Sequence, residues 1–263
     1  MTRCLRFVLL FLGFGLVNTS TCADRAFAQT PATAPAHHWS YSGPGSPAHW
    51  GDLDPDFALC KDGKRQSPIN IKKARKADLP PIQFDYKPTP LRIVNNGHSI
   101  QINYGPGSTI MIGGKQYMLV QFHFHRPSEE EIGGKHFEMV VHMVHKDDAG
   151  NAAVVAVLLK SGNESPFIQK LWDNLPKEAD KEMVVTNVTV NIAELLPANQ
   201  NYYSFAGSLT TPPCSEGVSW YVLKTPVEVS ARQVAAFAKF YPDNARPIQP
   251  TNGREIWESN SRP

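Results

Sequence analysis

The segment VQFHFHRPSEEE, Val120 to Glu131, places two histidines two positions apart inside an apolar run. Side chains of a strand alternate between its faces, so His123 and His125 share one face with Gln121, while Phe122 and Phe124 point to the other. One histidine in such a strand is commonly a satisfied core residue. Two at i and i+2 need a shared reason, and a metal ion is the leading one. Downstream, KHFEMVVHMVHK offers His136, His142 and His145 as a third ligand. In a strand, His142 shares a face with Val140 and Val144, and His145 takes the opposite face. His142 also follows His125 by enough residues for a loop and a return to a neighbouring strand. Three imidazoles from adjacent strands, with a fourth position open, is the arrangement of catalytic rather than structural zinc.

The elements that must position these residues are mostly strands. LRIVNN and SIQINY flank Gly97-His98, and STIMI and KQYMLVQFHFH flank Gly113-Gly114, both hairpin patterns. AAVVAVLLK, MVVTNVTV and GVSWYVLK follow, several of these runs apolar nearly throughout, as strands covered on both faces are. Helical signals are few: SPFIQKLWDNL is short, and SARQVAAFAKFY opens on a capping box of Ser230 and Gln233. There is no internal repeat. The expectation is a single mainly-β domain, a large twisted sheet with short peripheral helices.

Composition narrows the class further. Arg3 and Arg6 accompany an apolar run, Leu5 to Val17, too short to span a bilayer comfortably, and Ala26-Phe27-Ala28 is a small-x-small cleavage pattern. Residues 1–28 therefore read as a secretory signal peptide, 29–36 (QTPATAPA) as a flexible tether, and 37–263 as the domain. Lipidation at Cys22 is disfavoured, because NTSTC lacks an apolar residue three positions earlier. The chain's net +2 falls on the leader, leaving the mature chain near neutrality, with no global basic bias to indicate nucleic acid. The one basic cluster, Lys61 to Lys76, lacks interleaved aromatics and reads as solvated surface. No second long apolar stretch predicts a membrane span. Cleavage removes Cys4 and Cys22, so Cys60 and Cys214 remain in an oxidising compartment, periplasmic or extracellular, and are expected to pair. A bridge closing a loop of about 150 residues contributes about 4–5 kcal/mol in the chain-entropy account.

Taken together, the motifs resemble those of the α-class carbonic anhydrases, in the secreted or periplasmic bacterial form. The resemblance runs through HHWSYSG (His37 to Gly43), RQSPINI (Arg65 to Ile71), NNGH (Asn95 to His98), QFHFH, PSE (Pro127 to Glu129), SLTTPP (Ser208 to Pro213), SWYVLK (Ser219 to Lys224) and NARP (Asn244 to Pro247). It covers essentially the whole mature chain in order. It implies a mostly antiparallel sheet of about ten strands, and zinc-dependent reversible hydration of CO₂ to bicarbonate and a proton through a zinc-held hydroxide. Weak cleavage of activated esters would be a side activity.

Carried over by position, the resemblance makes His123, His125 and His142 the Zn²⁺ ligands, with Gln121 and the backbone carbonyl of Asn244 bonding the first two rings. Thr210 and Glu129 would orient the nucleophile, Thr211 would flank the substrate, and Val144, Val154, Leu209, Val218 and Trp220 would line an apolar CO₂ pocket. His98 falls at the proton-shuttle position, with Tyr41, Asn96 and Gln101 along the proton path. One departure stands out. The family commonly carries a glutamate two residues before the third histidine, bonding its other nitrogen, and this chain has Val140 there. Glu138 shares that face but lies one pair further off. An acatalytic binding protein on the same scaffold would lack zinc ligands, and all three are present. The implied partner is a small molecule, CO₂ or bicarbonate. The sequence leaves the oligomeric state open, a homodimer included.

Overall fold

The computed structural model describes residues 38–260. The leader, the tether and Cys22 lie outside the described residues, as do His37 and residues 261–263 of the expected domain.

Along the chain the strands are β1 (Asn70–Ile71), β2 (Arg75–Ala77), β3 (Gln83–Asp85), β4 (Thr89–Asn95), β5 (Ile100–Asn103), β6 (Thr109–Ile112) and β7 (Lys115–His125). Then come β8 (Glu131–Ile132), β9 (Met139–Lys146), β10 (Ala152–Ser161), β11 (Met183–Val190), β12 (Tyr202–Ser208), β13 (Glu216–Leu223), β14 (Val227–Val229) and β15 (Trp257–Ser259). Ten of these run side by side in the order β11-β4-β5-β7-β9-β10-β13-β12-β15-β2, and β3, β6 and β14 complete a 13-stranded sheet. β1 and β8 form a separate parallel pair. Most ladders are antiparallel, but β10 pairs in parallel with both β13 and β14, which makes the sheet mixed.

Helices are short and peripheral: α1 (Trp50–Leu53), α2 (Leu59–Asp62), α3 (Pro166–Trp172) and α4 (Ala231–Ala238). Ser230 and Gln233 close the expected capping box at the start of α4, each side chain bonding the other's backbone N–H.

Both faces of the sheet's centre are covered. On β10, Ala153, Val155, Val157 and Leu159 join the larger core with Phe122, Phe124 and Met143, whereas Val154, Ala156 and Leu158 join a second apolar cluster with Val140, Val218 and Trp220. This explains a strand that is apolar almost without interruption. The second face opens into the cleft described next.

Candidate metal centre and cleft

The histidines of β7 reach the cleft because the strand bulges around one extra residue. Tyr117 and Leu119 face the larger core, and so do Phe122 and Phe124, although strict alternation would put the two pairs on opposite faces. The register against β9 steps from Leu119↔His145 to Gln121↔Val144, so β7 carries a bulge at Val120. The bulge inverts the alternation. Beyond it, Gln121, His123 and His125 face the cleft, and Val120 is 40% exposed.

On β9, His142 lies directly across from His123, with Val140 across from His125. His145 faces the other way, where the Tyr86 hydroxyl lies 2.9 Å from its Nε2. His136, on the loop before β9, bonds the Ser128 carbonyl and pairs with Glu131. Among the described residues, His123, His125 and His142 form the one group of this kind able to hold a metal, their ligand atoms all within 4.8 Å of one another.

Each of the three rings is held from behind by an oxygen. His123 Nδ1 donates to Gln121 Oε1 at 2.8 Å, and His125 Nδ1 donates to the Asn244 carbonyl at 2.7 Å. His142 is held by its other nitrogen: Nε2 donates to Glu130 Oε1 at 3.0 Å, with Oε2 at 3.3 Å. These acceptors fix the tautomers and leave Nε2, Nε2 and Nδ1 as unprotonated donors. His125 Nε2 is buried without any hydrogen-bond partner. An orphaned, buried imidazole nitrogen beside two others is a costly arrangement for protein alone and a natural one for a zinc ligand set. The residues present fit zinc.

Burial, together with the neighbouring His142, holds His123 down to about 3, and burial pushes His125 well below the usual histidine range. Both rings are thus neutral, the form that binds metal. Burial also acts to lower His142, but Glu130 and Glu129 outweigh it and the net shift is upward.

Glu129 and Glu130 are completely buried, not part of a solvated acidic run. Glu129 Oε1 accepts the Arg246 backbone N–H at 2.8 Å, while Oε2 lies 3.5 Å from His125 Nε2 and 3.7 Å from His142 Nδ1. Burial lifts the Glu129 carboxyl to about 7; His142, the Thr210 hydroxyl and the Arg246 N–H oppose the rise, and Glu130 adds to it.

Thr210 is placed by a braced loop. Cys60, on α2, is joined to Cys214 by a disulfide, and the Cys214 N–H bonds the Thr211 carbonyl. Ser67 and Ser208 exchange backbone-to-hydroxyl hydrogen bonds at 2.9 and 3.1 Å, and Trp220 Nε1 donates to the Ser208 carbonyl. Gly207 permits this close approach, since a Cβ there would strike Ser67 Oγ and the Trp220 ring.

A cavity of about 270 Å³ is lined by His123, His142, Val144, Val154, Leu209, Thr210, Thr211 and Trp220, with Val120, Gln121 and Lys146. Val218, expected among the lining residues, is buried in the adjoining apolar cluster and does not line this cavity.

His98 and Tyr41 line another cavity, of about 350 Å³. The His98 ring stacks on Trp39 at 3.5 Å, with His38 edge-on at 5.1 Å. Burial and His38 push His98 down to about 4, against a smaller upward pull from Asp180. The Tyr41 hydroxyl is buried without a partner, and burial raises its pKa well above the usual tyrosine value. Asn96 caps the His98 turn, its Oδ1 accepting the His98 and Ser99 N–H groups and its Nδ2 reaching Gln101 Oε1. Asn244 links the two regions, donating from Nδ2 to the His98 carbonyl while its own carbonyl holds His125.

Sequence reasoning missed Glu130 as the partner of His142 and Trp39 as the platform for His98. A signal for the first was present: an extra acid beside Glu129 in a chain that lacks one at position 140.

The family model for eukaryotic-type carbonic anhydrases matches residues 45–260. A carbonic anhydrase of Pectobacterium carotovorum is 47% identical over 83% of this chain and 90% of its own length. One from Nostoc sp. is 39% identical over 97% of both chains. The α-carbonic anhydrase of Thermovibrio ammonificans, solved in complex with the inhibitor sulfanilamide, superposes with a TM-score of 0.80 at 45% identity, covering 84% of this chain and 98% of the other. The chain belongs to the α, or eukaryotic-type, carbonic anhydrase family, and it is an enzyme of that kind.

Proposed function

We propose that the chain catalyses CO₂ + H₂O ⇌ HCO₃⁻ + H⁺ at a zinc ion held by His123 Nε2, His125 Nε2 and His142 Nδ1. The observation that carries this reading is the convergence of three back-bonded imidazoles on His125 Nε2, which is buried and otherwise unpartnered. Zinc bound there would supply the positive charge that lets a water ionise near neutral pH.

The chain's own groups would then do the rest. Glu129 is committed at Oε1 to the Arg246 N–H, so its second oxygen remains as an acceptor. Thr210, donating to that carboxylate, can only accept from the reacting water, which fixes the direction in which a lone pair points. Val144, Val154, Leu209 and Trp220 offer CO₂ an apolar wall, with Thr211 beside it. His98 would carry the product proton outward, with Tyr41, Asn96 and Gln101 along its path. A signal peptide over residues 1–28 and the Cys60–Cys214 bridge support a periplasmic or secreted location. Among the described residues, no helix is long and apolar enough to cross a membrane.

The test pairs metal analysis with stopped-flow CO₂ hydration. Chelation should abolish hydration and zinc should restore it, with turnover of an activated ester far slower. His123→Ala, His125→Ala and His142→Ala should each lose zinc, whereas His136→Ala should not. Full zinc content and activity in His142→Ala, or ester turnover outpacing CO₂ hydration, would overturn the reading.

A further inference from the structure

We infer that Glu130 is the positioning residue for His142, standing in for the carboxylate that this chain lacks at Val140. The inference rests on the zinc reading above and concerns how firmly the metal is held.

Two routes lead to the back of the His142 ring. One is β9 itself, where position 140 lies two residues before His142 on the same face. Val140 is fully buried there, in the apolar cluster with Ile69, Ile71 and Leu158, and offers no acceptor. The other route is the loop between β7 and β8. Its backbone is braced: Ser128 Oγ donates to the Glu130 carbonyl at 2.7 Å, the Ser128 N–H bonds the Phe137 carbonyl, and the Phe137 N–H returns to Ser128 Oγ. This bracing carries the Glu130 carboxylate, itself fully buried, onto His142 Nε2 at 3.0 and 3.3 Å. Glu129, its neighbour, lies on the other nitrogen's side, 3.7 Å from Nδ1. The two adjacent glutamates therefore bracket one imidazole.

A buried carboxylate is expensive to keep without a partner, and among the described residues His142 is the hydrogen-bond partner Glu130 finds. Accepting the Nε2 proton does two things. It stops the ring from rotating, and it raises the electron density at Nδ1, the nitrogen left for the metal. The acceptor has moved from the ligand's own strand to a loop, so zinc retention depends on that loop.

The test measures zinc release to a chelator from the zinc-loaded protein, alongside thermal unfolding of the zinc-free form. Glu130→Ala should speed zinc loss about 10–100-fold. Glu130→Gln, which keeps an acceptor oxygen without the charge, should fall between wild type and Glu130→Ala, and it carries the test if the alanine variant does not fold. The decisive variant is Glu130→Ala with Val140→Glu, which returns a carboxylate by the other route and should recover most of the lost retention. A purely structural Glu130 would predict an altered melting temperature with zinc release unchanged, and no rescue from position 140. Either unchanged release in both Glu130 variants, or no recovery in a folded double variant, would overturn the inference. His142→Ala separates the two readings: if it retains zinc fully, the ligand assignment has failed, whatever Glu130 does.

Discussion

His123 and His142 stand opposite each other across the β7–β9 ladder, ring centroids 5.6 Å apart and planes nearly perpendicular at 87°. Their pairing on the cleft side is not a property of β7's sequence pattern alone. It depends on the bulge at Val120, which lets Leu119 and Phe122 face the same core while Gln121, His123 and His125 face the opposite side. The bulge thus absorbs one extra residue, so that the apolar side chains on both sides of it reach the same core and the imidazoles reach the cleft.

Deleting Val120 should therefore leave the zinc site standing. Without the extra residue Leu119 and Phe122 become two apart, so plain alternation puts Tyr117, Leu119, Phe122 and Phe124 on the core face and Gln121, His123 and His125 on the cleft face, in continuous register with β9. The deletion should keep full zinc, and so should Val120→Ala, which keeps the extra residue and its bulge. Zinc content and denaturant titration of the two variants check this. A deletion variant that folds but binds no zinc would show that the local bend of the bulge, and not the phase of the strand alone, aims the imidazoles.

The same bulge marks where the sequence stopped being legible. Alternation within QFHFH and VVHMV is local, so which residues share a face on each strand could be read directly, as could the hairpins at Gly97 and Gly113 and the capping box of α4. Alternation does not reveal a change of phase: the residues on each side of Val120 look alike, and only the pairing with β9 shows the step. Glu130 was hidden for a related reason. Its partner lies on another strand and is reached only because Ser128 and Phe137 close the intervening loop. Val218 belongs to the same apolar cluster as Val154 and Trp220, which line the cavity while it does not, and composition alone cannot separate the two positions. Trp39 meets His98 only once the N-terminal stretch folds over the β4–β5 turn, a contact between distant segments that spacing does not encode.

The Cys60–Cys214 bridge should matter to the Thr210 loop more than its position far along the chain suggests. It joins α2 to the turn in which the Cys214 N–H bonds the Thr211 carbonyl. Replacing both cysteines by serine should cost about 2–5 kcal/mol of stability. It should also lower kcat while leaving zinc content intact, since none of the three histidines lies on that loop. Equilibrium unfolding, zinc analysis and CO₂ hydration kinetics of the double serine variant test both parts. Alkylation of both thiols in the native, oxidised protein would show that the bridge is absent.

His145 makes an acid-dependent contribution of defined sign. Its ring is fully buried against Tyr86, and burial holds its pKa down to about 4 from an ordinary 6.5. The folded state keeps the ring neutral, while the unfolded chain takes up a proton below 6.5. Its contribution is therefore fully present above about pH 6.5 and is lost as pH falls towards 4, on the order of 3 kcal/mol over that window. His145→Gln leaves a polar group for Tyr86 but removes the titration. Compared at equal zinc content, the variant should show a flatter decline of unfolding free energy between pH 6.5 and 4. Identical slopes for the two proteins would show that His145 does not titrate on unfolding.

His98 presents a conflict between position and pose that experiment can resolve. A proton relay works best with a pKa near the working pH. Stacked on Trp39 and beside His38, His98 is instead held down to about 4, so in this pose it takes up few protons at neutral pH. Its capacity to export protons then depends on leaving the stack. Trp39→Ala should raise the His98 pKa towards 6.5, a shift readable by NMR titration of the ring. His98→Ala should lower kcat in dilute buffer while leaving kcat/KM for CO₂ nearly unchanged, because proton export follows the chemical step. Added imidazole should return much of the lost rate. If kcat at low buffer concentration is the same with and without His98, the residue serves only the β4–β5 turn that Asn96 caps, and the proton leaves by another route.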